Sequence, residues 1–489
     1  MTMTETTRLS NASLPDLVSA ARPHYDRSTV TPGIVHLGIG NFHRAHQAVY
    51  VDDGLASDPA WGIVGASLRR PDMHDALTPQ DGLYMLGIRS NGQTRIRVIG
   101  ALLRIIDASR DSTLLLDELA NPAIRVVSLT VTEKGYCHDP ATGNLDGAHA
   151  AIRADLDNPD RPVSVPGLLV AALESRRQAG GAPFTLLSCD NLPANGRTLK
   201  RLVTQMAALR NDGLAGWIEA SVAFPSTMVD RIVPATTDAD RKEMVAATGL
   251  ADAWPVMSEP FSQWVIEDGF STDRPPLPGA QFVCDVAPYE RMKLRMLNGA
   301  HSSMAWLGQL AGYDTVAEVT DDPLMLSHID VMWQDEVMPT LDMPVNELEA
   351  YARALTARFS NHGLRHRTAQ IAMDSSQKIP QRLLETIGDL KRLGLPHGRL
   401  SAGVAAWLAV ASGKTGAPAP DDPMREHLLA LASRYWPDTA AYANAVLDMG
   451  TIFGALSDDP AFRLDIASRL ETFVSRGWRA VLLEFQTSG

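Results

Sequence analysis

Short runs of apolar residues alternate with amphipathic stretches over the first part of the chain. Four runs are rich in β-branched residues and bounded by turn residues, which is typical of buried strands. These runs are GIVHLGIG (33–40), WGIVGASL (61–68), IRVVSLTVT (124–132) and FTLLSCDN (184–191). Stretches with a helical period lie between and after them, at 43–56, 167–178 and 197–212. Strands that alternate with helices predict a mostly parallel sheet covered by helices on both faces.

The pattern changes near residue 285, after which helical periods follow one another with few strand-like runs. These periods cover 292–313, 345–359, 378–395, 399–411 and 424–435. A Pro- and Gly-rich stretch, STDRPPLPGAQ (271–281), precedes the change and is interpreted as a linker or an inserted loop. We therefore predict two domains, an α/β domain over residues 1–285 and a mostly α-helical domain over residues 286–489.

Composition narrows the class of protein. The 489 residues include 57 acidic and 44 basic side chains, a net charge of −13, which disfavours nucleic-acid binding. Cys137, Cys189 and Cys284 lie far apart without a CxxC motif, so neither a disulfide framework nor a cysteine-built zinc site is expected. The N-terminal stretch lacks a signal-peptide pattern, and no apolar run approaches the roughly 18 residues of a membrane span. We expect a cytoplasmic globular protein without membrane or nucleic-acid partners.

A glycine turn follows the first predicted strand. Gly38 and Gly40 stand where a dinucleotide-binding fold needs glycines, because side chains there would block the pyrophosphate. His43 replaces the third glycine of the GxGxxG pattern, so an ordinary tight turn remains an alternative. The position between a first strand and a helix favours the dinucleotide interpretation. The first domain is thus predicted to be a Rossmann-like dinucleotide-binding domain.

The loop after the second strand bears on the choice of cofactor. Asp72 is placed to accept a hydrogen bond from an adenosine ribose hydroxyl, which favours NAD. Arg69 and Arg70 could instead hold the 2′-phosphate of NADP, which is therefore not excluded. All three side chains could also belong to a solvated loop.

The most informative stretch lies in the second domain. At about 100° per residue of an α-helix, Asn298 and His301 fall within roughly 140° of Lys293, on one side of the helix. A lysine buried among apolar neighbours is held in its neutral form, which can act as a general base. Asn298 and His301 could then bind substrate oxygens. On spacing alone, a surface lysine beside a core-facing stripe is the alternative.

Three other patterns are rejected as functional sites. Tyr289 and Lys293 fit a YxxxK motif, but they lie at the domain boundary and not inside a nucleotide domain. Lys414 follows a glycine as in a phosphate-binding loop, yet the earlier glycine of that motif is absent. His43 and His46 have no third ligand at a suitable spacing, so no metal site is predicted.

Several motifs in the same order resemble those of one family, the polyol-specific long-chain dehydrogenases or mannitol dehydrogenase family. They are GIVHLGIGNFHRAHQAVY, VVSLTVTEKGYC, LLSCDNLPANG, MVDRIVP, EPFSQWVIEDGF and MKLRMLNGAH. The resemblance covers nearly the whole chain. It implies an NAD(P)-dependent, metal-independent enzyme that interconverts a secondary alcohol of an open-chain sugar derivative with its ketone.

The resemblance also assigns roles to residues. Lys293 matches the catalytic lysine of a KxxxxNxxH motif, which Asn298 and His301 complete, and Glu290 matches a proton-relay group. Asn191 of the CDN motif would join Asn298 in stabilising the developing alkoxide. Substrate binding is assigned to Asp230 of the MVDR motif, and cofactor binding to Gly38, Gly40, Asn41, Phe42, Asp72 and Glu133. The helical domain would therefore carry the substrate and the catalytic lysine.

The segments 358–374 and 376–382 resemble the fructuronate reductase branch of this family. Arg367 and Lys378 are candidates for binding a substrate carboxylate, although Arg367 could simply pair with surface acids. Ala369 and Ser375 depart from the branch, which has tryptophan and glycine there, whereas Gln370 departs from the arginine typical of mannitol 2-dehydrogenases. The resemblance implies interconversion of D-mannonate and D-fructuronate.

Two alternatives remain open. The first is a mannitol 2-dehydrogenase or a related D-arabinitol or sorbitol dehydrogenase, since these act on the same reacting end of the substrate. The second is a nucleotide-sensing protein without enzyme activity, which would require a broken set of Lys293, Asn298 and His301, and this set is intact. Members of the family are often monomers, and no exposed heptad seam indicates otherwise.

Overall fold

The computed structural model describes residues 6–486 and divides the chain into two compact units, the first ending at Ala287 and the second beginning at Pro288. All strands of the described residues lie in the first unit. None of the helices in this range has the length and the hydropathy that crossing a membrane would need.

The first unit alternates strands and helices along the chain. Its strands are β1 (Pro32–Leu37), β2 (Gly62–Ser67), β3 (Tyr84–Ser90), β4 (Gln93–Ile99), β5 (Leu102–Asp107), β6 (Val126–Leu129), β7 (Thr185–Ser188), β8 (Thr227–Asp230), β9 (Val256–Ser258), β10 (Gln263–Glu267) and β11 (Gln281–Val283). Its helices are α1 (Asn41–Ala45), α2 (Gln47–Gly54), α3 (Asp72–Leu77), α4 (Thr113–Ala120), α5 (Ala150–Asp157), α6 (Val165–Gln178), α7 (Asn195–Ala208), α8 (Asp212–Ser221) and α9 (Asp238–Thr248).

Five parallel strands form the main sheet, in the order β5-β2-β1-β6-β7. This is the strand order 3-2-1-4-5 of a dinucleotide-binding fold, numbered along the sheet-forming strands. All four strands expected from the apolar runs are present in it, and the predicted Rossmann-like α/β class is confirmed. The fifth strand, β5, was not predicted, since Arg104 and Asp107 interrupt its apolar run.

The sheet is buried on both faces, as continuous apolar runs predict. Side chains alternate across the strands, so Ile34 and Val35 enter two different core clusters, and so do Leu187 and Leu186. Helices α4, α6, α7 and α8 contribute to the cluster that contains Val35.

Two three-stranded sheets complete the first unit, in the orders β4-β3-β9 and β11-β10-β8. The Pro- and Gly-rich stretch 271–281 packs against this unit. Leu277 is buried in the core of the first unit. The backbone of Pro276 approaches Gly54 so closely that a Cβ atom on Gly54 would lie 2.1 Å from the Pro276 carbonyl oxygen. The stretch is therefore a loop of the first unit and not a linker.

The second unit is helical, and the predicted helical class of this half is confirmed. Its α-helices are α10 (Ala287–Met292, which begins at the boundary), α11 (Gly299–Ala311), α12 (Val316–Asp321), α13 (Pro323–Val331), α14 (Val345–Phe359), α15 (Thr368–Ile371), α16 (Ser375–Ile379), α17 (Glu385–Leu393), α18 (Gly398–Ala411), α19 (Arg425–Tyr435), α20 (Thr439–Leu447), α21 (Gly450–Phe453), α22 (Pro460–Arg476) and α23 (Trp478–Glu484). Helix α18 is buried on all sides from Leu400 to Ala411 and packs against α11 and α22, which makes it the centre of this unit.

Three short segments of the second unit are π-helical. They are Lys293–Asn298, Met332–Val337 and Pro380–Leu384, each continuous with an α-helix. The helical periods of the sequence at 292–313 and 378–395 contain two of these segments and do not distinguish them from α-helix. A π-turn adds one residue to a helical turn, and apolar spacing does not reveal it.

Candidate functional site

A cavity of about 1060 Å³ opens at the carboxyl ends of the parallel strands in the first unit. It is lined by residues 38–40 after β1, 67–70 after β2, 108–112 after β5 and 130–132 after β6. From β1 the chain continues to β2 and β5 on one side of the sheet, and it then returns to β6 and β7 on the other side of β1. The carboxyl ends of β1 and β6 are therefore the switch point of the fold. Crevices at this place are where open α/β sheets bind ligands.

The glycine turn forms one wall of the cavity. Gly38 has a φ of +93°, and a Cβ atom there would lie 2.2 Å from the Thr130 carbonyl oxygen. At Gly40, by contrast, no atom lies within 4 Å of an added Cβ. Gly38 therefore permits the close approach of β1 to the chain after β6, whereas Gly40 leaves its side of the cavity open to a ligand.

The other four residues assigned to cofactor binding are not among those that line the cavity. Asn41 donates hydrogen bonds from Nδ2 to the Pro234 carbonyl oxygen at 3.4 Å and to Thr236 Oγ1 at 3.2 Å. Phe42 stacks on the imidazole of His46 with ring centroids 5.1 Å apart.

The remaining two are surface residues. Asp72 is the first residue of α3 and is exposed. Glu133 is exposed and lies 3.7 Å from the imidazole of His138. Their neighbours Arg69, Arg70 and Lys134 do line the cavity.

The ends of β7 and β8 carry Asn191 and Asp230. Asn191 is exposed and lies three residues after the end of β7. Asp230 is buried and is the last residue of β8. Asn195, which the sequence reasoning did not single out, connects the end of β7 to the beginning of β8. Its Nδ2 donates to the Asp190 carbonyl oxygen at 3.0 Å, and its Oδ1 accepts from the Thr227 backbone at 2.9 Å.

Asp190, next to Asn191, connects the end of β7 to the loop after β6. Its carboxylate accepts from the backbone N–H groups of Val131 and Thr132 at 3.1 and 2.9 Å, and from the Tyr136 hydroxyl at 2.8 Å. Burial raises the pKa of this carboxyl, while these hydrogen bonds oppose the shift. Asp190 therefore holds the loop after β6 against the end of β7, a role that the CDN motif alone does not reveal.

In the second unit, the helix that carries Lys293 has a π-helical turn. The Gly299 N–H donates to the Leu294 carbonyl oxygen five residues earlier. Lys293 and Asn298 are the first and last residues of this segment and are both half-buried. Because residue i+5 takes the place of i+4 in a π-turn, Asn298 lies nearer to the face of Lys293 than the 140° expected for an α-helix.

Neighbouring groups complete this turn. The Trp333 indole N–H donates to the Met296 carbonyl oxygen at 2.9 Å. A Cβ atom at Gly299 would lie 3.0 Å from the Arg382 carbonyl oxygen, so the glycine lets the third π-helical segment approach. Arg295 donates to Asp389 at 2.5 Å and is structural. π-turns are frequent at functional sites, where they re-aim side chains.

His301 lies one turn beyond the π-helical segment and is buried. Its ring lies 4.6 Å from Phe359 and 4.7 Å from His366, measured between ring centroids. Burial, and then the positive charges of His366 and Arg358 among others, hold the pKa of His301 well below its usual value. The imidazole is therefore neutral, and among the described residues its Nε2 has no hydrogen-bond partner. A neutral imidazole can donate or accept a hydrogen bond.

Glu290 belongs to α10, one turn before Lys293, and is half-buried. On a helix, residues three apart lie on the same side, so Glu290 and Lys293 share a face where α10 passes into the π-helical segment.

The two candidate carboxylate ligands lie further along this unit. Arg367 is exposed, and its backbone pairs with Thr315 in an isolated bridge. Lys378 is half-buried and donates from Nζ to the carbonyl oxygens of Ile371 and Met373. Burial, and then the charge of Arg382, lower the pKa of Lys378.

Arg382 is a cation that sequence reasoning missed. Burial lowers the pKa of its guanidinium to about 10, and Nη1 donates to Ser302 Oγ at 3.0 Å. No carboxylate of the described chain pairs with it. Its position in the motif KIPQR, four residues after Lys378, was the available signal.

Within residues 6–486, no group of three or more His, Cys, Asp or Glu side chains is arranged to hold a metal ion. His43 stacks on His36 with ring centroids 3.5 Å apart, and α1 ends before His46, so the two histidines do not share one continuous helix.

Comparison with known proteins identifies a family that matches both units and several similar proteins. Residues 32–279 match the family described as the mannitol dehydrogenase Rossmann domain, and residues 285–474 match the mannitol dehydrogenase C-terminal domain. A D-mannonate oxidoreductase of Escherichia coli is 44% identical over 83% of this chain and 85% of its own. The structure of Pseudomonas fluorescens mannitol 2-dehydrogenase with NAD and D-mannitol has a TM-score of 0.85 and 36% identity, covering 99% of this chain and 100% of that one. A D-sorbitol dehydrogenase structure has a TM-score of 0.90 and 33% identity, with 97% and 100% coverage.

Proposed function

Because the chain belongs to the mannitol dehydrogenase family, we propose that this oxidoreductase uses NAD to interconvert D-mannonate and D-fructuronate. The observation that carries the proposal is the intact set of Lys293 and Asn298 at the two ends of a π-helical turn, with the neutral imidazole of His301 one turn beyond. This set offers a base, an amide donor and an orienting group on one continuous helix.

The cavity of the first unit fits a dinucleotide. Gly40 leaves open the space that a Cβ atom would fill, at the carboxyl end of the first strand, where the pyrophosphate of a dinucleotide approaches the backbone. NAD supplies the acceptor for the hydride that leaves the alcohol carbon. The residues that would hold it include Gly38, Gly40 and the loops after β2 and β5.

Roles of the chain's own residues follow from their chemistry. In the oxidation of mannonate, Lys293 as a neutral amine takes the proton of the reacting hydroxyl. Asn298, and by resemblance Asn191, donate hydrogen bonds to the oxygen as negative charge develops on it. His301 orients a neighbouring substrate oxygen, and Glu290 passes the proton from Lys293 toward solvent.

The acidic substrate is supported by cations of the second unit. Burial, and then the charge of Arg382, lower the pKa of Lys378, and no carboxylate of the described residues forms a salt bridge with Arg382. A carboxylate at the far end of the substrate would compensate both, whereas the hydroxymethyl group of mannitol would not. Asp230, Arg367 and Lys378 remain our candidates for substrate contacts.

A second candidate is mannitol 2-dehydrogenase or a D-arabinitol or sorbitol dehydrogenase. It is favoured by the two solved structures, a mannitol 2-dehydrogenase and a D-sorbitol dehydrogenase, that match nearly the whole chain. Mannonate and mannitol present the same reacting end and differ only at the far terminus. The two candidates therefore differ in specificity and not in chemistry.

Reduction of D-fructuronate, D-fructose and D-xylulose, assayed side by side with NADH, separates the candidates. We expect kcat/KM to be at least about tenfold higher with D-fructuronate, because one charge-assisted hydrogen bond to the carboxylate is worth about 1.5–3 kcal/mol. Activity should survive a chelator, since Lys293 supplies the base.

Matched variants locate the source of that preference. Lys378→Gln should raise KM for D-fructuronate and leave KM for D-fructose nearly unchanged, whereas Lys414→Gln, in a loop after α18, should alter neither. Faster reduction of D-fructose than of D-fructuronate by the wild-type protein would favour the second candidate, and loss of activity with the chelator would contradict the metal-independent mechanism.

A further inference from the structure

The part of the cavity after β2 is positively charged. β2 ends at Ser67, which is followed by Leu68, Arg69 and Arg70, and all four residues line the cavity. Neither guanidinium forms a salt bridge within the described residues. In a dinucleotide-binding fold, this strand end is where the adenosine ribose of the cofactor is recognised.

Ser67 adds an unsatisfied polar group at the same place. The residue is 5% exposed, and its Oγ has no hydrogen-bond partner among the described residues, although it lines the cavity. A buried hydroxyl without a partner costs free energy unless a ligand satisfies it. A phosphate oxygen or a ribose hydroxyl would do so.

The carboxylate that would select the free ribose hydroxyl is missing from this wall. Among the described residues that line the cavity, Asp111 is the one acid, against Arg69, Arg70, Arg110, Arg161 and Lys134. Asp111 lies after β5, and its carboxylate accepts from the backbone N–H and the hydroxyl of Thr113 at 2.9 and 2.7 Å. Asp72, which the sequence suggested for the ribose, begins α3 and does not line the cavity.

Arg110 differs from Arg69 and Arg70. Its Nε lies 3.1 Å from an oxygen of Asp107, so its charge is already compensated. Lys134 follows β6 and Arg161 lies between α5 and α6, so Arg69 and Arg70 are the lining cations directly after β2. A dianionic phosphate is the group that best compensates a pair of guanidinium groups.

We propose that Ser67, Arg69 and Arg70 form a subsite for a 2′-phosphate, so that this protein binds NADP(H) at least as tightly as NAD(H). The inference rests on the proposed function, because it extends the cofactor site of that function. It adds specificity for one end of the dinucleotide and leaves the nicotinamide end and its chemistry unchanged.

Equilibrium titration of the full-length protein with NADPH and with NADH, followed by nucleotide fluorescence, tests this subsite without turnover. The wild-type dissociation constant for NADPH should be equal to or lower than that for NADH. Arg69→Gln and Arg70→Gln should each raise the NADPH constant about tenfold, the effect of one lost charge-assisted hydrogen bond, and change the NADH constant less than about twofold. Arg95→Gln, which removes an exposed arginine of β4 outside the cavity, is the matched control and should change neither constant.

A charge reversal sharpens the test. Arg69→Asp should abolish NADPH binding and keep NADH binding, because a carboxylate repels the phosphate and can accept from a ribose hydroxyl. Equal losses of affinity for both nucleotides in Arg69→Gln and Arg70→Gln would show that these arginines hold the shared pyrophosphate, and this result would overturn the inference. Much tighter binding of NADH than of NADPH by the wild-type protein would overturn it as well. Failure of both nucleotides to bind the wild-type protein would instead overturn the proposed function itself.

Discussion

Replacement of Lys293 by alanine is expected to lower turnover by about 10³–10⁴-fold, because it removes the group that we propose as the general base. Binding of NADH should stay near the wild-type value, since the cofactor cavity belongs to the first unit and Lys293 to the second. Steady-state kinetics and nucleotide fluorescence titration of the same sample measure the two quantities.

Two further variants distinguish a base from a structural cation. Lys293→Arg keeps the charge but cannot deliver a neutral amine, so it should be nearly as inactive as Lys293→Ala. Added primary amines should restore part of the activity of Lys293→Ala and leave Lys414→Ala, a matched surface variant, unaffected. Near-normal turnover of Lys293→Ala, or full activity of Lys293→Arg, would eliminate Lys293 as the base.

Alanine at the two glycines of the first turn should produce opposite defects. Gly38→Ala places a methyl group 2.2 Å from the Thr130 carbonyl oxygen at a φ of +93°, which is expected to destabilise the protein by about 2–4 kcal/mol. Gly40→Ala meets no protein atom within 4 Å, so its stability should change by less than about 0.5 kcal/mol. Its methyl group enters the cavity, however, and should weaken dinucleotide binding by about tenfold or more.

Urea unfolding and nucleotide titration of both variants check this pair of effects. Gly92→Ala, in the open turn between β3 and β4, controls for strain at a positive φ of +78° without a steric neighbour. Wild-type affinity of Gly40→Ala would mean that no dinucleotide approaches this turn. Wild-type stability of Gly38→Ala would contradict the close contact between the ends of β1 and β6.

The apolar pattern was sufficient to predict the elements that are buried on both sides. Continuous β-branched runs identified β1, β2, β6 and β7, and the helical period identified α14 over its full length. Strands with one polar face were missed. In β4, Gln93, Arg95 and Arg97 alternate with less polar residues, so no apolar run marks the strand.

The candidate site was predictable only where it depends on residue identity. The glycine turn could be recognised from residue type and position, whereas the roles of Lys293, Asn298 and His301 were assigned by the resemblance to the family, because spacing alone left a surface lysine as the alternative. The π-helical turn could not be recognised, because it depends on tertiary partners such as the Trp333 indole, which is hydrogen-bonded to the Met296 carbonyl oxygen.

The assignment of Asp72 to the cofactor rested on its place in the loop after the second predicted strand, and it stays a prediction. Asp72 stands at a plausible distance along the sequence, yet the cavity wall is formed by the residues directly after β2, and α3 has begun by position 72. Where a strand ends determines which side chains face a ligand, and apolar runs define such ends only to within a few residues.

Transfer of deuterium to D-fructuronate from NADH that carries deuterium at both positions of nicotinamide C4 tests the central claim most directly. We predict that the product identified by NMR is D-mannonate, with deuterium at the former ketone carbon, since hydride passes directly to that carbon while Lys293 returns a proton to the oxygen. A product with the opposite configuration at this carbon, or D-mannonate without deuterium there, would contradict the proposed reaction.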